Sequence, residues 1–347
     1  MNVLGAFRLQ SEACTKLGSP FMGQLMSVLS ERLTPGDAVS DKVLNWSGDP
    51  TPSADSVPLR LAGALHALRL EDKALESVYP PSNVSDDTLW SGIVQAFDEH
   101  SDQIIVWLGS PPQTNEVRRS AVILPALALL QEKYDRPVAL YELGTSGGLN
   151  LRADLFRLDL GDTSIGPDQS AVVLKPKWHG ERPPTKLPKI MKRRGVDLNP
   201  IDPSASDGRL RLLAYLWPDQ PERIQLTERA IEIATDNAAD VESGDAGAWL
   251  GKEFQAKPDA IVRLVFHTVA WQYFSDETKA RAESALRKAA SSATLDAPLA
   301  RLSMEDSDGK SAAVTLTTWP GGETHLIARA NFHGRWVDWR GCGARQA

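Results

Sequence analysis

The strongest constraint on the fold lies between Pro137 and Leu151, where the β-prone run Val138 to Leu143 carries Glu142 near its end and enters a turn with glycines at 144, 147 and 148. Pro137 and Gly144 bound the run, and a strongly helical segment precedes it, which is the pattern of a buried strand entering an α/β unit. Glycine allows a tight turn and a close approach of backbone. Leu149, Leu151 and Leu155 then begin a helix. A strand, a glycine turn and a helix N-terminus together form a seat for a nucleotide or cofactor.

At 347 residues the chain holds one large or two ordinary domains. With 42% hydrophobic and 24% charged residues it has the composition of a soluble globular protein. A net charge of -7 gives no overall attraction to nucleic acid or to an anionic membrane, so neither is expected as a partner. Arg8, Glu12 and Lys16 interrupt the apolar core that a signal peptide needs. The apolar run Ser120 to Leu130 falls short of the roughly 20 residues that span a bilayer. The expected location is the cytoplasm. Cys14 and Cys342 stand at opposite ends of the sequence, which gives neither a disulfide framework nor a CxxC metal site.

From residue 1 to about 110 the periodicity is helical, broken by a loop from Trp46 to Pro58. His66 and His100 in this region read as packed or solvated residues. Pro111 and Pro112 close it, and residues 111–347 form the α/β region. Thr114 or Asn115 can cap the helix that follows. The polar residues gathered here make Gln113, Asn115 and Arg118 candidates for a pocket wall. Runs at Phe156 to Leu160 and Ala171 to Lys175 predict a hairpin inserted at about 156–190. Helices are expected over Arg209 to Tyr215, Glu222 to Thr235, Ala248 to Phe254 and Asp276 to Ser291. Ile261 to Trp271 predicts a second buried strand, and strands at Leu299 to Met304, Ala313 to Thr318, Thr324 to Phe332 and Trp336 to Trp339 end the chain.

Glu142-x-Gly144-x-Ser146-x-Gly148 resembles the acid-x-Gly-x-Gly-x-Gly turn of class I S-adenosylmethionine-dependent methyltransferases, with serine at the middle glycine. "GVDLNP" at Gly195 to Pro200 looks like the acid that ends the second strand of that fold, and Gly244-Asp245-Ala246 is similar to its third motif. The resemblance covers about Pro137 to Trp339. It implies a Rossmann-like mixed sheet ending in an antiparallel hairpin, with S-adenosylmethionine as cofactor and a small-molecule acceptor. The cofactor would be held by Glu142, Gly144, Thr145, Ser146 and Gly148, by Asp197 at the ribose and by Asp245 at the adenine amine. His267, at the end of the fourth strand, would take a proton from the acceptor, with Thr268 and Trp271 along the pocket. No metal is required.

Gly144-x-Ser146-x-Gly148 also matches the nucleophile elbow of α/β-hydrolases, which makes Ser146 a candidate nucleophile. The helical upstream region lacks the oxyanion loop that such enzymes carry. A dinucleotide fingerprint would need glycines where Ser146 and Leu149 stand. A non-catalytic nucleotide- or partner-binding protein of the same fold is the third reading. In wording such as "PPQTNEVRRSA", "ELGTSGGLNL" and "VFHTVAWQY", nearly the whole chain resembles an uncharacterised bacterial family, a domain of unknown function. That family brings no substrate with it.

Overall fold

The computed structural model describes residues 1–255 and 259–343. In chain order, the first 114 residues contain α1 (Val3–Lys16), α2 (Pro20–Arg32), α3 (Ala38–Leu44), α4 (Val57–Glu71) and α5 (Asp86–Leu108). Then come α6 (Ser120–Tyr134), β1 (Val138–Leu143), β2 (Arg157–Asp159), β3 (Ser164–Ile165), β4 (Val173–Leu174), β5 (Lys177–His179) and β6 (Ile190–Asp197). The chain continues through α7 (Ser206–Ala214), α8 (Pro221–Asp236), β7 (Asp240–Ser243), α9 (Ala246–Glu253), β8 (Val262–Thr268) and α10 (Asp276–Ser291). It ends in β9 (Leu299–Asp306), β10 (Ala312–Trp319), β11 (Glu323–Ala330) and β12 (Trp336–Trp339).

Two compact units result. One holds residues 1–114 together with 205–228, and the other holds 115–204 and the chain from 229 onward. The first is all helical. Side chains of Asn2, Ser19, Asp37 and Ser85 accept from free amides in the first turns of α1, α2, α3 and α5, which starts each helix where the sequence supplies a short polar residue. Phe7, Leu25, Leu29, Leu61 and Leu65 are fully buried in its core. Residues 205–228 join this unit because α7 packs on α4. Gly63 leaves the room, since a Cβ there would lie 2.4 Å from the Tyr215 ring. His66 is a core residue, bonded through Nδ1 to the Ala214 carbonyl at 3.1 Å and pushed down to about 4 by burial.

The second unit is built on a nine-stranded sheet in the order β5-β12-β11-β10-β9-β8-β1-β6-β7. Strands β7, β6, β1, β8 and β9 run parallel, and their order of appearance in the chain is 3-2-1-4-5 across the sheet. That is the doubly wound arrangement, whose direction of progression reverses beside β1, between β1 and β8. Every residue of β1 and β8 is buried, as central parallel strands require. One face packs Tyr141, Leu143 and Val265 against Trp249, Leu250, Ala282 and Leu286 from α9 and α10. Beyond β9 the sheet turns antiparallel through β10, β11 and β12.

Three local expectations are corrected. The insertion is a three-stranded sheet, β3-β2-β4, in which β2 pairs β4 in parallel rather than as a hairpin. Gly161 at φ +90° turns β2 back into β3, and Gly166 lets the chain pass so close that a Cβ would meet the Phe156 carbonyl at 2.0 Å. β5 leaves the insertion and joins the large sheet against β12. After the glycine turn, Leu149–Leu155 is a 3-10 helix kinked at Arg152. Its first amide goes to Asn115 Oδ1, so Asn115 does not cap the helix following residue 116, whose 3-10 entry is capped by Glu116.

Gly144, at φ +71°, would place a Cβ 2.7 Å from that of Ala270. Gly144→Ala is therefore expected to lose about 2–4 kcal/mol in urea unfolding, from left-handed backbone plus overpacking. Gly161→Ala, with nothing within 4 Å, carries only the backbone cost. Equal losses in the two variants would show that the Gly144–Ala270 approach is not made.

Candidate functional site

The switch point beside β1 gathers the carboxyl ends of β1, β6 and β8. Glu142 stands opposite Gly195 in the β1–β6 register. A Cβ on Gly195 would fall 2.9 Å from Thr145 Cγ2, so glycine at that place admits the threonine side chain. Thr145 donates its hydroxyl to Glu142. Glu142 is 2% exposed, and burial pushes its pKa up to about 8 despite the opposing effects of Thr145 and Arg152. At neutral pH it is largely protonated.

Above this acid the turn is held by its own amides. Gly144 and Thr145 both donate to the Val196 carbonyl, at 2.9 and 3.1 Å, and Gly148 closes the turn on Thr145 O at 2.8 Å. Ser146 lies inside that turn at φ +54°, a conformation that favours glycine. Its amide donates to Asp197 Oδ2 at 2.8 Å, and Asp197 Oδ1 receives the Asn199 amide at 2.9 Å. Arg152 braces the exit of the turn by donating to Gly148 O at 2.7 Å. The amides of residues 144, 145, 146, 148 and 149 thus have acceptors within the protein. What the turn offers a ligand is side chain. The Ser146 hydroxyl oxygen is buried with no hydrogen-bond partner, next to the amide that donates to Asp197.

Asp245 follows β7 as the N-cap of α9. It accepts from Ala248 N at 2.8 Å and from the Thr278 hydroxyl, and Arg281 stands 3.6 Å away. Burial raises its pKa, but these donors overcome it and hold the carboxyl below the usual range. Asp245 therefore ties α9 to α10.

A second cluster forms at the ends of β8 and β9. His267 is 1% exposed and stacks on Trp271 with ring centres 4.9 Å apart. Its Nδ1 lies 2.7 Å from Glu305 Oε1, while Nε2 faces Arg301 Nε and Nη2 at 3.2 and 3.1 Å. Arginine only donates, so Nε2 accepts and Nδ1 carries the proton. Burial, partly offset by Glu305, lowers the imidazole pKa and keeps the ring neutral. In this arrangement both nitrogens are engaged, and the proton-accepting role expected of His267 has no open lone pair. Arg119 donates to the carbonyls of Thr268 at 2.7 Å and Phe332 at 2.9 Å. The backbone of Arg118 lies against Gly334, whose Cβ would meet the Arg118 carbonyl at 2.4 Å. Past Thr268 the chain passes through Val269 at φ +53°, then lays Ala270 on Gly144.

Of the residues singled out from sequence, Asn115, Glu142, Gly144, Thr145, Ser146, Gly148 and Asp197 meet at the turn. His267, Thr268 and Trp271 share the neighbouring strand end, and Gln113 belongs to the other compact unit. Arg152, Arg301 and Glu305 were not singled out. A charged residue inside an alternating strand run, as at 301 and 305, was their one sequence signal.

Fold and site define an α/β protein with a doubly wound parallel half-sheet and polar groups gathered at its switch point. The chain belongs to the family described as "Uncharacterized protein conserved in bacteria (DUF2332)", whose model matches residues 5–339. No curated protein matches it. Among the described residues, no helix is long and apolar enough to cross a membrane, and no group of three or more His, Cys, Asp or Glu is placed to hold a metal ion.

Because the folded state raises the Glu142 pKa, its contribution to stability is full below the ordinary value of 4.5 and is lost as pH rises to about 8. The change is on the order of 4 kcal/mol. Thermal unfolding followed across this window should show a falling midpoint for the native chain and a flatter profile for Glu142→Gln. Parallel profiles would mean that Glu142 is already ionised in the fold.

Proposed function

We propose that the protein binds S-adenosylmethionine at the β1–β6 turn and is a methyltransferase acting on a small-molecule acceptor. The observation that carries this reading is the pairing at Ser146. Its amide is fixed on Asp197 while its hydroxyl is buried without a partner. A ligand with vicinal hydroxyls is suited to such a place, because the carboxylate accepts and the serine hydroxyl both donates and accepts. In this reading the cofactor supplies an activated methyl group, and the protein supplies alignment and exclusion of water. Asp197 and Ser146 hold the nucleoside. Glu142, protonated beneath the turn, keeps Thr145 and therefore the turn in place without touching the ligand. Asp245 supports the site from the α9 cap. The half-buried Trp271 and the Thr268 strand end form the acceptor side.

The serine-hydrolase alternative draws support from the strained φ of Ser146, a feature of nucleophile elbows. Against it stands the base. Ser146 Oγ has no hydrogen-bond partner, and His267 is committed to Glu305 and Arg301.

Calorimetry with S-adenosylhomocysteine separates these readings. The native chain should bind it, and Asp197→Ala should weaken binding about tenfold or more, the loss of a charge-assisted hydrogen bond. Ser146→Gly should raise stability by about 1 kcal/mol by relieving left-handed backbone, yet weaken the ligand. Absence of heat at millimolar ligand, or covalent capture of Ser146 by a fluorophosphonate, would sink the methyltransferase reading.

A further inference from the structure

Glu305 uses one carboxylate oxygen for everything it does within the protein. Oε1 receives His267 Nδ1 at 2.7 Å and the amides of Ala270 and Trp271, each at 3.1 Å. Oε2 is shut off from solvent and has no hydrogen-bond partner. Burial would raise the pKa of this acid, but the three donors outweigh it and the carboxyl is held below its usual range, hence ionised at neutral pH. The surrounding charges do not balance. Arg301 is positive, Glu283, which it pairs with, is negative, His267 is neutral and Glu305 is negative. Arg119, the next cation at this strand end, donates to the carbonyls of Thr268 and Phe332. Arg301, Glu283, His267 and Glu305 alone sum to one negative charge, and Glu305 keeps an acceptor oxygen without a donor, a costly state for a buried carboxylate.

We propose that Glu305 Oε2 is the docking point for the ammonium group of the acceptor, which makes the substrate class amine-bearing small molecules. This rests on the reading of the neighbouring turn as the cofactor site. A protonated amine supplies both missing elements, a positive charge and an N–H donor, which a hydroxyl or carboxylate does not. Glu305 keeps 15% of its side chain exposed, so the carboxylate lies just beneath the surface. Trp271, whose amide is held by Oε1 and whose ring stacks on His267, supplies aromatic surface alongside. The two amides held by Oε1 belong to the segment whose Ala270 rests on Gly144 and whose Val269 sits at φ +53°. A ligand on Oε2 is therefore bound to the segment that touches the cofactor turn, and His267 acts as a positioning residue that fixes which oxygen of Glu305 remains open.

Ligand-observed NMR titration of the full chain with benzylamine and with benzoate, with and without S-adenosylhomocysteine, tests this. Benzylamine should bind about tenfold or more tightly than benzoate, the effect of one charge-assisted hydrogen bond. Glu305→Gln keeps one oxygen for the three internal donors and turns Oε2 into an amide donor, so the preference should vanish or reverse. Glu283→Gln neutralises the cluster without touching Glu305 and should weaken benzylamine about threefold or more, which decides the matter if Glu305→Gln does not fold. Equal binding of the two probes by the native chain, a preference retained by folded Glu305→Gln, or an unaltered one in Glu283→Gln would each overturn the proposal. Amine preference without any binding of S-adenosylhomocysteine would leave this site standing and remove the cofactor reading. Binding of S-adenosylhomocysteine with no amine preference would do the reverse.

Discussion

A carboxyl group stripped of water at the end of the central strand governs what is built above it. Glu142 cannot keep its charge where it stands, because the neighbouring parallel strands shield it on both sides and Thr145 is the side chain donating to it. Held neutral, it anchors Thr145, and Gly195 provides the space for that anchor. Once Thr145 is fixed, the next residue has to enter the left-handed region to bring its amide to Asp197, and the turn closes on Gly148. A strand-end acid, usually thought of as a ligand contact, is here a foundation.

The same economy joins the two polar clusters. Gly144 lacks a side chain where Ala270 arrives, and Ala270 is delivered by a segment whose amides are fastened to Glu305. The turn on β1 and the strand end of β8 are thereby parts of one assembly, connected by a van der Waals approach on one side and a carboxylate on the other. Neither the acid of β9 nor the histidine of β8 has to touch the glycine turn to influence it.

Much of this was legible in the sequence because it depends on short-range patterning. The run from Val138 to Leu143 is apolar apart from Glu142, and the glycines that follow leave little choice but a buried strand and a tight turn. The buried strand at Val262–Thr268 and the alternating C-terminal strands were equally plain. What sequence order hid was pairing across distance. Nothing in Phe156 to Lys175 distinguishes a hairpin from a parallel pair with a third strand between, since both show the same alternation. Asn115 looks like a helix cap because it precedes a helix, and only the folded chain brings Leu149 to it. His267 drew attention as a strand-end histidine, whereas the partners that use up both its nitrogens lie more than thirty residues downstream, at 301 and 305.

The placement of β5 has a consequence for the life of the chain. It is a three-residue strand drawn from the inserted segment, and its neighbour in the large sheet, β12, follows it in the chain only after β6 to β11. Gly180 lies so close to Trp339 that a Cβ would meet its carbonyl at 2.1 Å. Until β12 emerges, β5 has no place in the sheet and β11 has an open side. When it docks, the sheet finishes on a very short strand carrying Lys177 and His179, while the opposite border, β7, carries Asp240 and Glu242. Short, charged borders discourage another chain from adding a strand. The docking of β12 therefore gives β5 its place and leaves this border of the sheet a poor template for recruiting copies of the chain.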